Sequence, residues 1–321
     1  MTTSAIVGSE LLAAVEAAIR APSVHNTQPW KFAVTGDRID VYADRDRQLP
    51  VADTRGAALR VSCGAAIFNA RLGVAALGHE AEVTLLPDAS DPDLLASVAP
   101  GRARPPSPAE AALYAAIPHR RSNREPFLDT AVPLDIRPQL RDAALAEGAW
   151  LDLLLGPPAL DMAAYLVRAA NRVLNRSDAY RAEVAAWTHD DGASPSAGGA
   201  PPEPNDFLAR GDLGGTVAAT GREFEREPLV AVLGSEGDRP QDDLVAGQAL
   251  QRVLLTATHA GLVTSLMSQP IEVPAVREQL RVGLRRFGSP KMLLRVGYGP
   301  PGPPTSRRPL ADVLLSARRR A

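Results

Sequence analysis

The chain has 321 residues, 45% hydrophobic and 22% charged, enough to close a full apolar core and unlike a fibrous or wholly disordered chain. Its 35 basic and 37 acidic residues leave a formal net charge of −2, which excludes the global positive field of most nucleic-acid and anionic-membrane binders and leaves anion binding to local clusters. A single cysteine, Cys63, excludes an intrachain disulfide and a thiolate metal cage, and the scattered histidines offer no metal motif. The run from Ala5 to Ile19 is broken by Ser9, Glu10 and Glu16, lacks a basic start and falls short of the ~20 apolar residues of a membrane span. A cytoplasmic protein with neither nucleic acid nor membrane as partner is expected.

Leu11, Leu12, Val15, Ala18 and Ile19 recur at helical spacing behind Ser9 as N-cap, and Pro22 stops the pattern, predicting a helix that feeds a polar loop over 21–29. Trp30, Phe32 and Val34 alternate, a Gly36-Asp37 turn follows, and Ile39, Val41 and Ala43 resume the alternation, which reads as a β-hairpin. A helix over 54–77 ended by Gly78, a strand over 83–86 and a Pro/Arg-rich linker over 100–107 come next. Ser107-Pro108-Ala109-Glu110 joins a Ser N-cap, Pro at the first helical position and Glu three residues on, a capping box that starts another helix. Helices over 134–147, 159–174 and 179–187 and strands over 150–155, 229–233 and 292–296 complete a mixed α+β order. Residues 189–221, rich in Gly, Ala, Pro, Ser and Asp, supply no core of their own and read as a lid or a plain insertion.

One repeat stands out. Gly64 to Gly78 and Gly247 to Gly261 both run Gly-x-Ala, both hold Leu at the ninth position (Leu72, Leu255), and both close on glycine after the same interval without a gap. They read either as duplicated helices with a C′ glycine or as chance likeness between alanine-rich helices.

Two polar segments carry candidate chemistry. The loop Ala21-Pro22-Ser23-Val24-His25-Asn26-Thr27-Gln28-Pro29-Trp30 gathers hydroxyls, amides and an imidazole, as a binding loop or as an ordinary self-satisfied connection. His119-Arg120-Arg121-Ser122-Asn123-Arg124 offers guanidinium forks and a hydroxyl, donors that suit a phosphate monoester, against the alternative of a solvated basic turn. Gly297-Tyr298-Gly299-Pro300-Pro301-Gly302 matches the dinucleotide fingerprint only literally, because prolines fill its variable positions and no helix opens there. Ser23 and His25 have no G-x-S-x-G elbow around them, which sets a hydrolase aside.

In their order, Ala-Pro-Ser-x-x-Asn-x-Gln-Pro-Trp at 21–30, Arg-Arg-Ser-x-Arg at 120–124, and Gly297-Tyr298-Gly299 followed by Arg307-Arg308-Pro309 resemble the flavin-dependent nitroreductase family, and within it the Acg-like group of actinobacteria. The resemblance implies an α+β nitroreductase-like fold in which two related halves, 1–104 and 105–321, imitate in one chain the family's homodimer, with one FMN between them. The halves are complementary: the first carries the ring loop without a preceding Arg-Arg-Ser-x-Arg, the second the reverse.

By the same resemblance Arg120, Ser122 and Arg124, with Arg308, Arg307 and Arg121 as further candidates, hold the 5′-phosphate. Pro22, Ser23 and Asn26 meet the flavin ring, and Gln28 either joins them or fixes the loop. Ser265, Leu266 and Met267 either approach the ring's N5 side or form a core strand end. His25 is either a proton donor to a reduced substrate or a satisfied loop residue. The implied activity is hydride transfer from NAD(P)H through flavin N5 to a nitroaromatic, quinone or similar small acceptor, by a monomer. The alternative is a flavin-binding or flavin-sequestering protein with little turnover.

Overall fold

A computed structural model describes residues 8–187 and 229–315; the segment expected as a lid, 189–221, lies outside the described residues. The first half runs α1 (Gly8–Ala18), β1 (Trp30–Thr35), β2 (Arg38–Ala43), α2 (Ala57–Ala76), β3 (His79–Leu85) and β4 (Leu94–Ala103). The second runs α3 (Pro108–Ala116), α4 (Ile136–Leu145), β5 (Trp150–Leu154), α5 (Pro157–Leu174), α6 (Asp178–Ala186), β6 (Leu229–Ser235), α7 (Pro240–His259), β7 (Val263–Met267), α8 (Gln269–Glu272), α9 (Pro274–Gly283), β8 (Ser289–Gly297) and α10 (Leu310–Val313). Two antiparallel sheets have the orders β1-β2-β4-β3 and β5-β6-β8-β7. The series α1-β1-β2-α2-β3-β4 and α4-β5-β6-α7-β7-β8 therefore match element for element, and the repeat read from two helices extends to both sheets.

α2 and α7 cross at the repeat's opening glycines. A Cβ on Gly64 would stand 2.3 Å from the Leu244 carbonyl oxygen, and one on Gly247 2.1 Å from that of Val61. Only glycine permits this approach, because the obstacle on each side is backbone. The pattern's closing glycines, Gly78 and Gly261, both take positive φ, +88° and +74°, as C′ residues of their helices. Leu72 and Leu255 meet in one buried cluster with Leu113 and Ile117 of the α3 region.

The cores interlock at the crossing. Leu244 of α7 is buried in the first half's cluster, among Trp30, Phe32 and Ile67, while Val61 of α2 is buried in the second half's, among Leu229, Leu254 and Leu294. Arg60 of α2 adds a bond across the same interface, donating through Nε to Asp243 Oδ2 at 2.9 Å, and the buried Lys291 ammonium donates to Asp243 Oδ1 at 2.5 Å.

The second sheet is covered on both faces. Leu229, Ala231 and Leu233 of β6 pack with α7, whereas Val230 and Val232 pack with α5 and α9, so the continuous apolar run 229–233 is a strand buried on both sides. In the first half β3 alternates half-buried and exposed positions and keeps one face toward solvent. α6 is tied to the first half where the Glu183 carboxylate accepts from the backbone N–H of Val51 and Ala52, both at 2.8 Å.

The capping box at Ser107 forms as expected, with Glu110 N–H donating to Ser107 Oγ. Ser9 lies inside the first turn of α1 instead of capping it. The expected linker over 100–107 is shorter, because β4 continues to Ala103. Pro100 is tolerated there because β4 pairs with β2 only as far as Val98, and its pairing with β3 shifts register between His79 and Ala81. Ser265, Leu266 and Met267 close strand β7, the strand-end reading offered for them, whereas helices α8 and α9, short and each with a proline in its first turn, are not legible as elements.

Candidate functional site

Between α1 and β1 the chain makes a tight polar turn. His25, Asn26 and Gln28 all have positive φ, +50°, +56° and +49°, a region that side-chain-bearing residues enter at a cost of about 1 kcal/mol each. Side chains hold the turn in place. Ser23 Oγ accepts from Gln28 N–H at 2.9 Å, and Gln28 Oε1 accepts from Arg308 N–H at 2.8 Å. Asn26 Nδ2 donates to the Ser306 carbonyl at 3.1 Å, and Asn26 Oδ1 accepts from Arg307 Nη1 at 3.1 Å. The loop is thus braced by the C-terminal segment, itself fixed where Leu315 N–H donates to the Phe32 carbonyl on β1 at 2.7 Å.

The arginine segment after α3 is held from the opposite side. Asn123 N–H donates to the Thr264 carbonyl of β7 and Asn123 Nδ2 to the Pro300 carbonyl, both at 2.8 Å. Gly302 of the proline loop packs so tightly on this segment that a Cβ would lie 2.3 Å from the Ser122 carbonyl oxygen. The fingerprint look-alike at 297–302 therefore closes onto the arginines as a strand end and loop.

These parts enclose one cavity. Of the residues expected at the site, Pro22, Ser23, His25, Asn26, Arg120, Arg121, Ser122, Arg124, Ser265, Leu266, Met267 and Arg307 line it together. Gln28 and Arg308 do not. Gln28 is buried and braces the loop, donating to the Asn26 carbonyl at 3.3 Å. Arg308 turns the other way, with Nη1 on Asp44 Oδ2 at 3.0 Å and on the Gln28 carbonyl at 3.1 Å. Sequence reasoning missed the wall supplied by Val61, Ser62, Leu250 and Met292, and Thr305 beside Arg307. The one available signal was that Val61, Ser62 and Leu250 lie on the two repeated helices.

The cavity's charge is one-sided. Among the described residues four arginines line it and no carboxylate does. Arg120 is buried with Nε and Nη1 lacking any hydrogen-bond partner, and Arg307 Nε is likewise buried and unpaired. Burial, with repulsion from Arg307 and Arg121, pushes the Arg120 guanidinium down to about 9. Burial lowers Arg124 to about 10, and burial with repulsion from Arg121 and Arg20 lowers Arg307 to about 10. Burying the Arg120 and Arg307 guanidiniums with N–H groups left unpaired is costly, so the cavity is poised for an anion. His25, buried beside Arg124, is pushed down to about 4 by burial first and that charge second, and stays neutral at pH 7. No group of side chains among the described residues is arranged to hold a metal ion, and no described helix is long and apolar enough to cross a membrane.

The chain is similar to several proteins of Mycobacterium tuberculosis. It is 35% identical over 316 residues to "Putative NAD(P)H nitroreductase Rv3131", spanning 92% of this chain and 88% of that protein. Identity to the uncharacterized protein Rv3127 is 34% over 326 residues, spanning 94% and 91%. To the acg protein, which carries the same descriptive name as Rv3131, it is 31% over 333 residues, spanning 98% and 96%. A solved nitroreductase with bound FMN from Desulfitobacterium hafniense superposes on 64% of this chain and 98% of its own, at TM-score 0.42 and 12% identity. No protein-family model matches the chain. On the strength of these full-length relatives, the chain belongs to the nitroreductase family, in its Acg-like group.

Proposed function

We propose that the cavity binds one FMN per chain and that the protein is an NAD(P)H-dependent oxidoreductase of nitroreductase type. The observation that carries this reading is the buried, unpaired donors that Arg120 (Nε and Nη1) and Arg307 (Nε) hold in one cavity with Arg121, Ser122 and Arg124, where no carboxylate stands among the described residues. A dianionic phosphate monoester supplies the missing acceptors, so the residues present fit the group. Arg120, Ser122, Arg124 and Arg307 would hold the phosphate, and Arg121 lies at the same end. Pro22, Ser23 and Asn26 would meet the ring from one side and Ser265, Leu266 and Met267 from the other. When bound, the flavin supplies the two-electron chemistry, taking hydride from NAD(P)H and passing it to a nitroaromatic, quinone or similar small acceptor.

The chain's own contribution is orientation and exclusion of water. Val61, Leu250, Met267 and Met292 give the cavity an apolar lining, while the strained loop at 25–28 presents its groups from a backbone that four side-chain hydrogen bonds keep fixed. Both halves furnish the wall, so a single chain suffices as the binding unit, with 1–104 giving the ring loop and 105–321 the arginines. We place the reaction in the cytoplasm, with small molecules as the only partners.

A flavin-holding protein with little turnover is the second reading. It is favoured by the lining itself: among the described residues no carboxylate stands there and His25 is held neutral, so none of them is an acid poised to give a proton to a reduced acceptor. The absorption spectrum of the purified protein tests the binding shared by both readings; about one FMN per chain is expected. Steady-state NAD(P)H oxidation by the loaded protein then separates them: turnover with an acceptor supports the oxidoreductase, and bound but idle FMN the holding protein.

A further inference from the structure

Among the described residues His25 is the cavity's one titratable group other than arginine, and its circumstances are costly. It is 7% exposed, neither ring nitrogen has a hydrogen-bond partner, and its backbone sits at φ +50°, ψ 23°. An unsatisfied buried polar group is destabilising, and a left-handed backbone at a β-carbon-bearing residue adds strain to it. A satisfied loop histidine would show neither. The left-handed turn instead sets the ring in the wall shared with the arginines. Among the described residues the charged groups of that wall are Arg120, Arg121 and Arg124 on the segment after α3 and Arg307 on the C-terminal segment; α2, α7, β7, α8 and β8 bring only uncharged side chains to it.

We infer that His25 is a ligand-contacting residue of this site: its imidazole hydrogen-bonds the anionic ligand held by the arginines and takes up one proton from solvent as that ligand binds. The inference rests on the proposed FMN site. Before binding, burial and the Arg124 charge keep the ring neutral. A dianion set among the guanidiniums offsets the Arg124 charge and gives a protonated imidazole an acceptor that compensates its burial, so the charged ring is favoured on binding. By linkage, a group whose affinity for protons rises on binding makes the ligand bind more tightly as pH falls.

The test uses the intact chain with FMN as the probe. The His25 ring is followed by NMR with and without saturating FMN, and FMN affinity is measured between pH 7 and 5 in wild type and in His25→Asn, since asparagine tolerates the left-handed backbone. The FMN phosphate's own titration is common to both proteins and cancels. The expected result is that the His25 midpoint rises by about two pH units on binding, and that wild-type affinity gains roughly tenfold over His25→Asn as pH falls from 7 to 5. A midpoint that stays put while FMN binds overturns the inference even if the variant fails to fold. Parallel pH profiles in the two proteins overturn it as well, because a purely structural histidine would alter stability without altering the slope. If wild type binds no FMN at any pH, the proposed function fails and the inference with it, an outcome told apart by the missing flavin spectrum.

Discussion

The first sheet joins β1 to β2 through Gly36-Asp37, whereas the second places α5, α6 and residues 187–228 between the equivalent strands β5 and β6. A second difference lies one element earlier: α1 reaches β1 through the strained polar loop at 19–29, and α4 reaches β5 through 146–149 alone. Where the halves agree, at Gly64 and Gly247 and at Val61 and Leu244, they build the core. Where they differ, at the loop over 19–29 and the segments after α3 and β8, they supply the cavity's polar groups, while Val61, Ser62 and Leu250 of the shared helices also line it. A duplicated scaffold can thus keep its packing symmetric while its chemistry is assembled from unlike parts, because packing depends on the shared helices and sheets and the site on loops free to diverge.

The most severe way to break the comparison is to separate the halves. Expressed alone, 1–104 loses Leu244 from its core and 105–321 loses Val61, so neither is expected to retain FMN; tight binding by the C-terminal piece would refute a shared site. Arg120→Ala combined with Arg124→Ala comes next. Each loses a charge-assisted contact worth ~1.5–3 kcal/mol, so FMN affinity should fall about ten- to a hundredfold per substitution, read by fluorescence titration. The same Arg120→Ala change should make the ligand-free protein slightly more stable to urea, since it removes a buried charge whose Nε and Nη1 have no partner.

Gly247→Val tests the symmetric part. Its side chain would meet the Val61 backbone, an obstacle that cannot rotate away, and a loss of about 3 kcal/mol is expected in chemical denaturation. Gly261→Ala meets nothing within 4 Å and suffers only from φ +74°, so about 1 kcal/mol should be lost.

Acid sharpens the contrast at His25. Its folded value of about 4 lies below the ordinary 6.5, so as pH falls the unfolded chain takes the proton first. The neutral ring's contribution is whole above about pH 6.5 and is lost toward pH 4, up to about 3 kcal/mol in the ligand-free protein. Urea midpoints of wild type at pH 7 and pH 4.5 should differ by more than those of His25→Asn.

The sequence by itself determined what depends on local period and on residue type. The hairpin at 30–43, the capping box at Ser107, the glycine-bounded helices and the two polar segments could all be read because alternation, caps and turn residues act over a few neighbours. It also marked most of the residues that line the cavity, since arginine clusters and amide-rich loops are conspicuous wherever they fold. What only the tertiary structure decided is which of those residues face one another. Arg307 and Arg308 are adjacent and alike in sequence, yet one lines the cavity and the other is held by Asp44, because successive side chains on an extended segment point to opposite sides. Pro100 reads in the sequence as the start of a linker, yet it lies within β4, which outruns β2 there. Val61 and Leu244 read as ordinary helix residues, and their exchange between the two cores exists only once α2 and α7 cross at Gly64 and Gly247, where the absence of two β-carbons lets each backbone reach the other.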